Sequence, residues 1–109
     1  MKLTKIAAIA LLSVLFAGTA QAAEEFTIRI KDHKFIPETT EVPSGQKVKL
    51  VIVNEDPSPE EFESYELNRE KIIKGNSQGI VFIGPLEPGE YPFFGEFNMD
   101  SANGKIIAK

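Results

Sequence analysis

From Phe26 onward, apolar residues recur at every second position in short runs broken by glycine and proline, and this period of two limits the chain to a small sheet protein. Phe26, Ile28 and Ile30 alternate with Thr27, Arg29 and Lys31, as a strand with one buried face requires. Phe35-Ile36-Pro37 and Glu41-Val42-Pro43 are extended, because a residue before proline is driven toward the β region. Val48 to Val53 is the most apolar run and predicts a central strand covered on both faces. Asn54 to Pro59 is a loop by composition, and Glu61 to Glu66 alternates again. Leu67 to Lys74 fits either a short helix or a strand, since periodicity does not decide. Ile80–Ile83, Tyr91–Phe94 and Lys105–Ala108 predict the remaining strands, with turns at Ser44-Gly45 and Pro88-Gly89. About seven short strands joined by tight turns make an all-β sandwich the expected fold.

Residues 1–22 read as an export signal rather than as part of this sheet. Lys2 and Lys5 precede the apolar stretch Ile6 to Phe16, and Ala20-Gln21-Ala22 forms an A-x-A cleavage site. The stretch is too short to cross a bilayer, which takes about 20 residues; the alternative is an N-terminal membrane anchor. Cleavage leaves residues 23–109 as one soluble, exported domain of 87 residues. It also removes Lys2 and Lys5, leaving 10 basic against 16 acidic side chains.

That balance excludes several functions. A net negative surface argues against nucleic-acid binding, which needs basic groups to displace counterions. With no cysteine and a single histidine among 109 residues, there is no disulfide, no thiolate metal site, no cysteine nucleophile and no multi-imidazole centre. The chemistry left is mostly that of carboxylates.

Five segments in order carry a family likeness: Phe35-x-Pro37, Val42-Pro43-x-Gly45-x-x-Val48, Asn54-x-Asp56, Pro88-Gly89-x-Tyr91-x-Phe93 and Gly104-x-Ile106. Together they resemble the cupredoxins, which implies a Greek-key β-sandwich of about seven to eight strands with a metal site at one end. The same alignment sets Glu60 and Asn98 at the two ligand-histidine positions, Gly95 at the cysteine and Ala102 about where the axial methionine stands. None of the four copper ligands is kept, and a blue-copper centre needs a thiolate, two imidazoles and a weak axial ligand. Pro59-Glu60-Glu61-Phe62-Glu63-Ser64, Phe93-Phe94-Gly95-Glu96-Phe97-Asn98-Met99-Asp100 and Asp32-His33 resemble a periplasmic branch found with bacterial high-affinity iron uptake. That branch commonly carries His where this chain has Asn98. The resemblance implies a periplasmic location, and an inner-membrane iron permease or a periplasmic iron-binding protein as partner.

The metal candidates are Glu60, Glu61, Glu63, Glu96, Asp100, His33 and Met99. Crowded carboxylates repel and raise one another's pKa unless a cation lies among them, and oxygen donors with one imidazole suit iron, manganese or Cu(II) better than Cu(I). The competing reading is a solvated acidic rim. Alternation with Phe62 inward sends Glu61 and Glu63 to one face and Glu60 and Ser64 to the other. Glu61 and Glu63 are either ligands or solubilising groups. His33 is either a ligand or a loop residue bonded to Asp32 or to a backbone carbonyl. Phe93, Phe94 and Phe97 are read as core and rim packing, and Glu66, Arg69, Glu70 and Lys71 as surface ion pairs. Three functions are compatible: an exported metal-binding protein handling iron or copper ions for iron uptake, a metal-free module whose acidic end docks on a partner protein, and a ferrous oxidase.

Overall fold

The computed structural model describes residues 22–109. Among them nine strands form: β1 (Glu24–Lys31), β2 (Lys34–Ile36), β3 (Thr39–Val42), β4 (Val48–Asn54), β5 (Glu60–Ser64), β6 (Arg69–Ile73), β7 (Ser77–Ile83), β8 (Gly89–Gly95) and β9 (Asn103–Ala108), with one 3₁₀ turn, Glu96–Asn98. They make two sheets, in the orders β2-β1-β4-β7 and β3-β9-β8-β5-β6. Two pairings are parallel, β1 with β4 and β3 with β9. The chain therefore crosses between sheets rather than running as successive hairpins.

Alternation sets the faces. In β1, Ile28 and Ile30 are buried while Thr27 and Arg29 are not, and in β8 only Phe93 and Gly95 are buried. The apolar run β4 is central, with Val48, Leu50 and Ile52 inward, Val51 also buried, and Lys49 and Val53 half-buried. Between the sheets Phe35 of β2 meets Phe93 of β8 edge-on at 4.9 Å, and Phe62 of β5 lies 4.8 Å from Phe93. These rings fasten the sandwich near the end to which the acidic segments map. Each large side chain buried this fully contributes about 1.5–3 kcal/mol.

Leu67 to Lys74 is neither wholly helix nor wholly strand. Tyr65 to Asn68 turns, with Asn68 at φ 53°, and β6 follows because Ile73 gains a buried place opposite Glu60. Ser64 closes this turn: its hydroxyl accepts the Leu67 N–H and donates to the Pro92 carbonyl. With β6 a strand, and with β2 and β3 each separate, the count rises to nine. The expected ion pairs among Glu66, Arg69, Glu70 and Lys71 do not form. Arg69 instead donates to the Phe82 and Asn68 carbonyls, and Glu70 faces other acids. Among the described residues no helix is long and apolar enough to cross a membrane. The signal reading of residues 1–22 lies outside the described residues except at Ala22.

Candidate functional site

Strand β5 and the turn after β8 build the acidic end. Glu60, Phe62 and Ser64 point inward while Glu61 and Glu63 are half-buried on the opposite face, as alternation predicts. Inward, the four positions aligned with cupredoxin ligands do meet, around the Glu60 carboxylate. Glu60 is 1% exposed. Its Oε1 accepts the Glu61 and Phe97 N–H groups at 3.0 and 2.9 Å, and its Oε2 accepts Asn98 Nδ2 at 2.7 Å. The Gly95 N–H donates to the Ala102 carbonyl. A Cβ on Gly95 would stand 2.7 Å from Glu60 Cδ and 2.7 Å from the Ala102 methyl. The space is full, and its donor set of one hydrogen-bonded carboxylate and one amide does not fit a blue-copper ion.

Outward, a different cluster forms. Carboxylate oxygens of Glu61, Glu63 and Glu70 all lie within 4.8 Å of one another, because the β5–β6 register sets Glu63 directly opposite Glu70. Partial burial raises the Glu61 carboxyl, and Glu70, Glu96 and Glu60 raise it further by repulsion. Glu63 is raised by burial, by Glu70, which both bonds and repels it, and by Glu61 and Glu96. Folding thus favours the protonated forms, and the ionised forms oppose it increasingly as pH rises from the ordinary glutamate range through the raised values. Glu63→Gln is expected to raise the melting temperature by a few degrees at neutral pH and to leave it unchanged near about pH 3, as read by thermal denaturation in parallel buffers.

The other candidates are more scattered. Glu96 is exposed on the 3₁₀ turn, near enough to act on both Glu61 and Glu63. Asp100 and Met99 are exposed in the following turn, where the Met99 carbonyl accepts Asn103 Nδ2. His33 is exposed at the two-residue turn between β1 and β2, where Asp32 and His33 both take positive φ. The Ser101 hydroxyl donates to the His33 carbonyl, which ties this turn to the acidic end. His33, Glu60, Glu96 and Asp100 do not form a set of three ligand atoms within that same reach.

Two residues here escape sequence reasoning. Glu70 joins the cluster only through strand register. Asp56, 7% exposed, accepts the Asp32 and His33 N–H groups on its two oxygens at 2.8 and 2.9 Å, and its Oδ2 lies 3.6 Å from His33 Nδ1. The His33 N–H holds the Asp56 carboxyl below the usual aspartate range; burial opposes this, and the Asp32 N–H, His33 and Lys31 assist it. The composition of Asn54 to Pro59 marks a loop but not what Asp56 holds within it.

Known proteins share this architecture. The chain matches a family described as cupredoxin-like domain over residues 4–108. An uncharacterized protein of Rickettsia prowazekii (strain Madrid E) is 48% identical over 83 residues, which cover 76% of this chain and 66% of the relative. The chain thus spans slightly under two thirds of that relative's length. Among solved structures it is similar to the metal-binding domain, with Cu(I), of the Cu(I)-exporting P-type ATPase CopA of Streptococcus pneumoniae D39 (15% identity, TM-score 0.72, 84% of this chain and 91% of that one). It is also similar to auracyanin A, a blue copper protein of Chloroflexus aurantiacus (11%, 0.68, 81% and 100%), and to amicyanin of Paracoccus versutus (18%, 0.60, 85% and 87%). At these identities the likeness establishes the fold and nothing finer. The sandwich, the converging ligand positions and a family match over nearly the whole length agree: this chain belongs to the cupredoxin-like domain family.

Proposed function

We propose that this protein is an exported, periplasmic metal-binding protein that holds iron or Cu(II) at the outer face of β5 and β6 and serves iron uptake. One observation carries the reading: three carboxylates, Glu61, Glu63 and Glu70, reach a common point, with Glu96 beside them. A cation there offsets their repulsion, and hard oxygen donors favour Fe(II), Fe(III), Mn(II) or Cu(II) over Cu(I). The copper-holding relatives of this fold make a metal role reasonable for the scaffold, although the donors here are different ones. A site this open and oxygen-based suits an ion that is passed on, to an inner-membrane iron permease or to a periplasmic iron-binding protein.

Calorimetric titration of the protein with Fe(III), Cu(II) and Mn(II) tests this. Binding is expected in the micromolar range, falling at least tenfold in Glu63→Gln and Glu70→Gln. No binding tighter than about millimolar, which is about −4 kcal/mol, defeats the proposal.

A second reading is a metal-free module whose acidic face docks on a basic partner surface. Its support is Tyr65, 73% exposed beside Glu63 and Glu70 and packed on Phe94 at 5.5 Å, an aromatic among acids of the kind that binding faces use. It predicts partner binding that weakens steeply with salt and that Tyr65→Ala removes.

A further inference from the structure

We propose that in this chain the Glu60 carboxylate has replaced the metal ion of the cupredoxin site, filling its place and joining β5 to the 3₁₀ turn, so that this inner site is closed to copper. The family fold implies an ion here, and the residues present contradict it.

The first observation is burial. A carboxylate this deeply buried is costly unless its oxygens are bonded. Among the described residues no lysine, arginine or histidine pairs with Glu60. It is held instead by three N–H donors. One comes from its own strand and two from the turn some 37 and 38 positions away. A metal in a cupredoxin draws together residues from the same two segments; here an anion draws together donors.

The second observation is Gly95. Its backbone is ordinary extended chain, φ −94° and ψ 109°, so no conformational demand calls for glycine. The demand is for space. A Cβ would meet Glu60 Cδ at 2.7 Å, Glu60 Oε2 at 2.8 Å and Ala102 Cβ at 2.7 Å. No cysteine thiolate at position 95 can coexist with this Glu60 conformation. The missing side chain at 95 and the buried acid at 60 are one substitution in two places.

Thermal denaturation of Gly95→Ala, Glu60→Ala and the double variant, in the full chain, tests the coupling. Gly95→Ala alone is expected to lower the melting temperature by about 5–15 °C. In the Glu60→Ala background the same change is expected to cost at most about half as much, because the contacts with Glu60 are gone and only the one with the Ala102 methyl remains. Equal losses in both backgrounds overturn the proposal. If the Ala variants do not fold, Cu(II) titration of wild type and the conservative Glu60→Gln, followed by electron paramagnetic resonance, decides. The same copper spectrum and affinity in both, or no binding in either, supports a closed site. Loss of copper in a folded Glu60→Gln shows Glu60 to be a ligand and overturns it. The inference goes beyond the outer-face reading and is separable from it: failure of Glu61, Glu63 and Glu70 to bind a cation leaves the Glu60–Gly95 coupling unchanged.

Discussion

Phe62→Ala is expected to destabilise the protein by about 3–5 kcal/mol, the range for removing a fully buried phenylalanine and leaving a cavity. Phe62 is fully buried on β5 and stands 4.8 Å from Phe93 and 6.3 Å from Phe35. Phe35 belongs to the other sheet, so the change takes out one member of a ring cluster that joins the two layers. A small domain has about 5–15 kcal/mol of stability in all, which makes this about a fifth of the total or more. Melting should fall by about 12–40 °C. Phe97→Ala, at a half-exposed ring on the neighbouring turn, is the control and should change stability by no more than about 0.5 kcal/mol. Urea denaturation of both variants gives the comparison, and a loss below about 1 kcal/mol for Phe62→Ala contradicts the packing described.

Asp56→Ala should cost about 2–3 kcal/mol, because it strips the Asp32 and His33 N–H groups of a charged acceptor. The pH dependence distinguishes this from a packing defect. The Asp56 carboxyl is lowered in the fold, so its contribution is complete above the ordinary aspartate range and disappears as pH falls through the lowered value. The gap between wild type and Asp56→Asn should therefore be widest near about pH 7 and close toward about pH 2. A gap that is constant with pH rules out the carboxylate as its source. The Asp32-His33 turn should loosen as well, seen as faster amide exchange at those two residues, since their N–H groups lose their acceptor.

The acid dependence of the whole protein combines two opposed contributions. Asp56 stabilises as it ionises, whereas Glu61 and Glu63 destabilise as they ionise. The second contribution is the one a bound cation reverses, so metal should raise the melting temperature more at neutral pH than in acid.

Much of the fold was readable locally because a strand reports its faces through its own side chains. The alternation in Phe26–Lys31 and the apolar run at Val48–Val53 mark β1 and β4, and the inward set Glu60, Phe62, Ser64 follows from a period of two. Leu67 to Lys74 was not readable in this way. Four exposed residues in β6 carry no pattern, and only pairing with β5 makes them a strand. Register is a long-range property, and a shift of one residue exchanges the two faces. Glu70, which in sequence reads as a member of a surface ion pair, is set opposite Glu63 by its partner strand.

The same division runs through the site. The sequence by itself determined that the chain builds a small all-β sandwich of the cupredoxin-like family, that no blue-copper ligand set exists, and that any metal must be held mainly by oxygen. The sandwich follows from period, the missing ligands and the oxygen donors from composition, and the family from the resemblance carried by its five ordered motifs; none of these needs a partner to be read. Only the tertiary structure decided which acids face one another. It set Glu60 inward on donors from a distant turn, Glu61 and Glu63 outward against Glu70, and Asp56 beneath the His33 turn. Whether a carboxylate is a buried, bonded anchor or a repelled surface charge depends on the groups the fold brings within about 3–5 Å, and those groups lie up to 38 residues away along the chain.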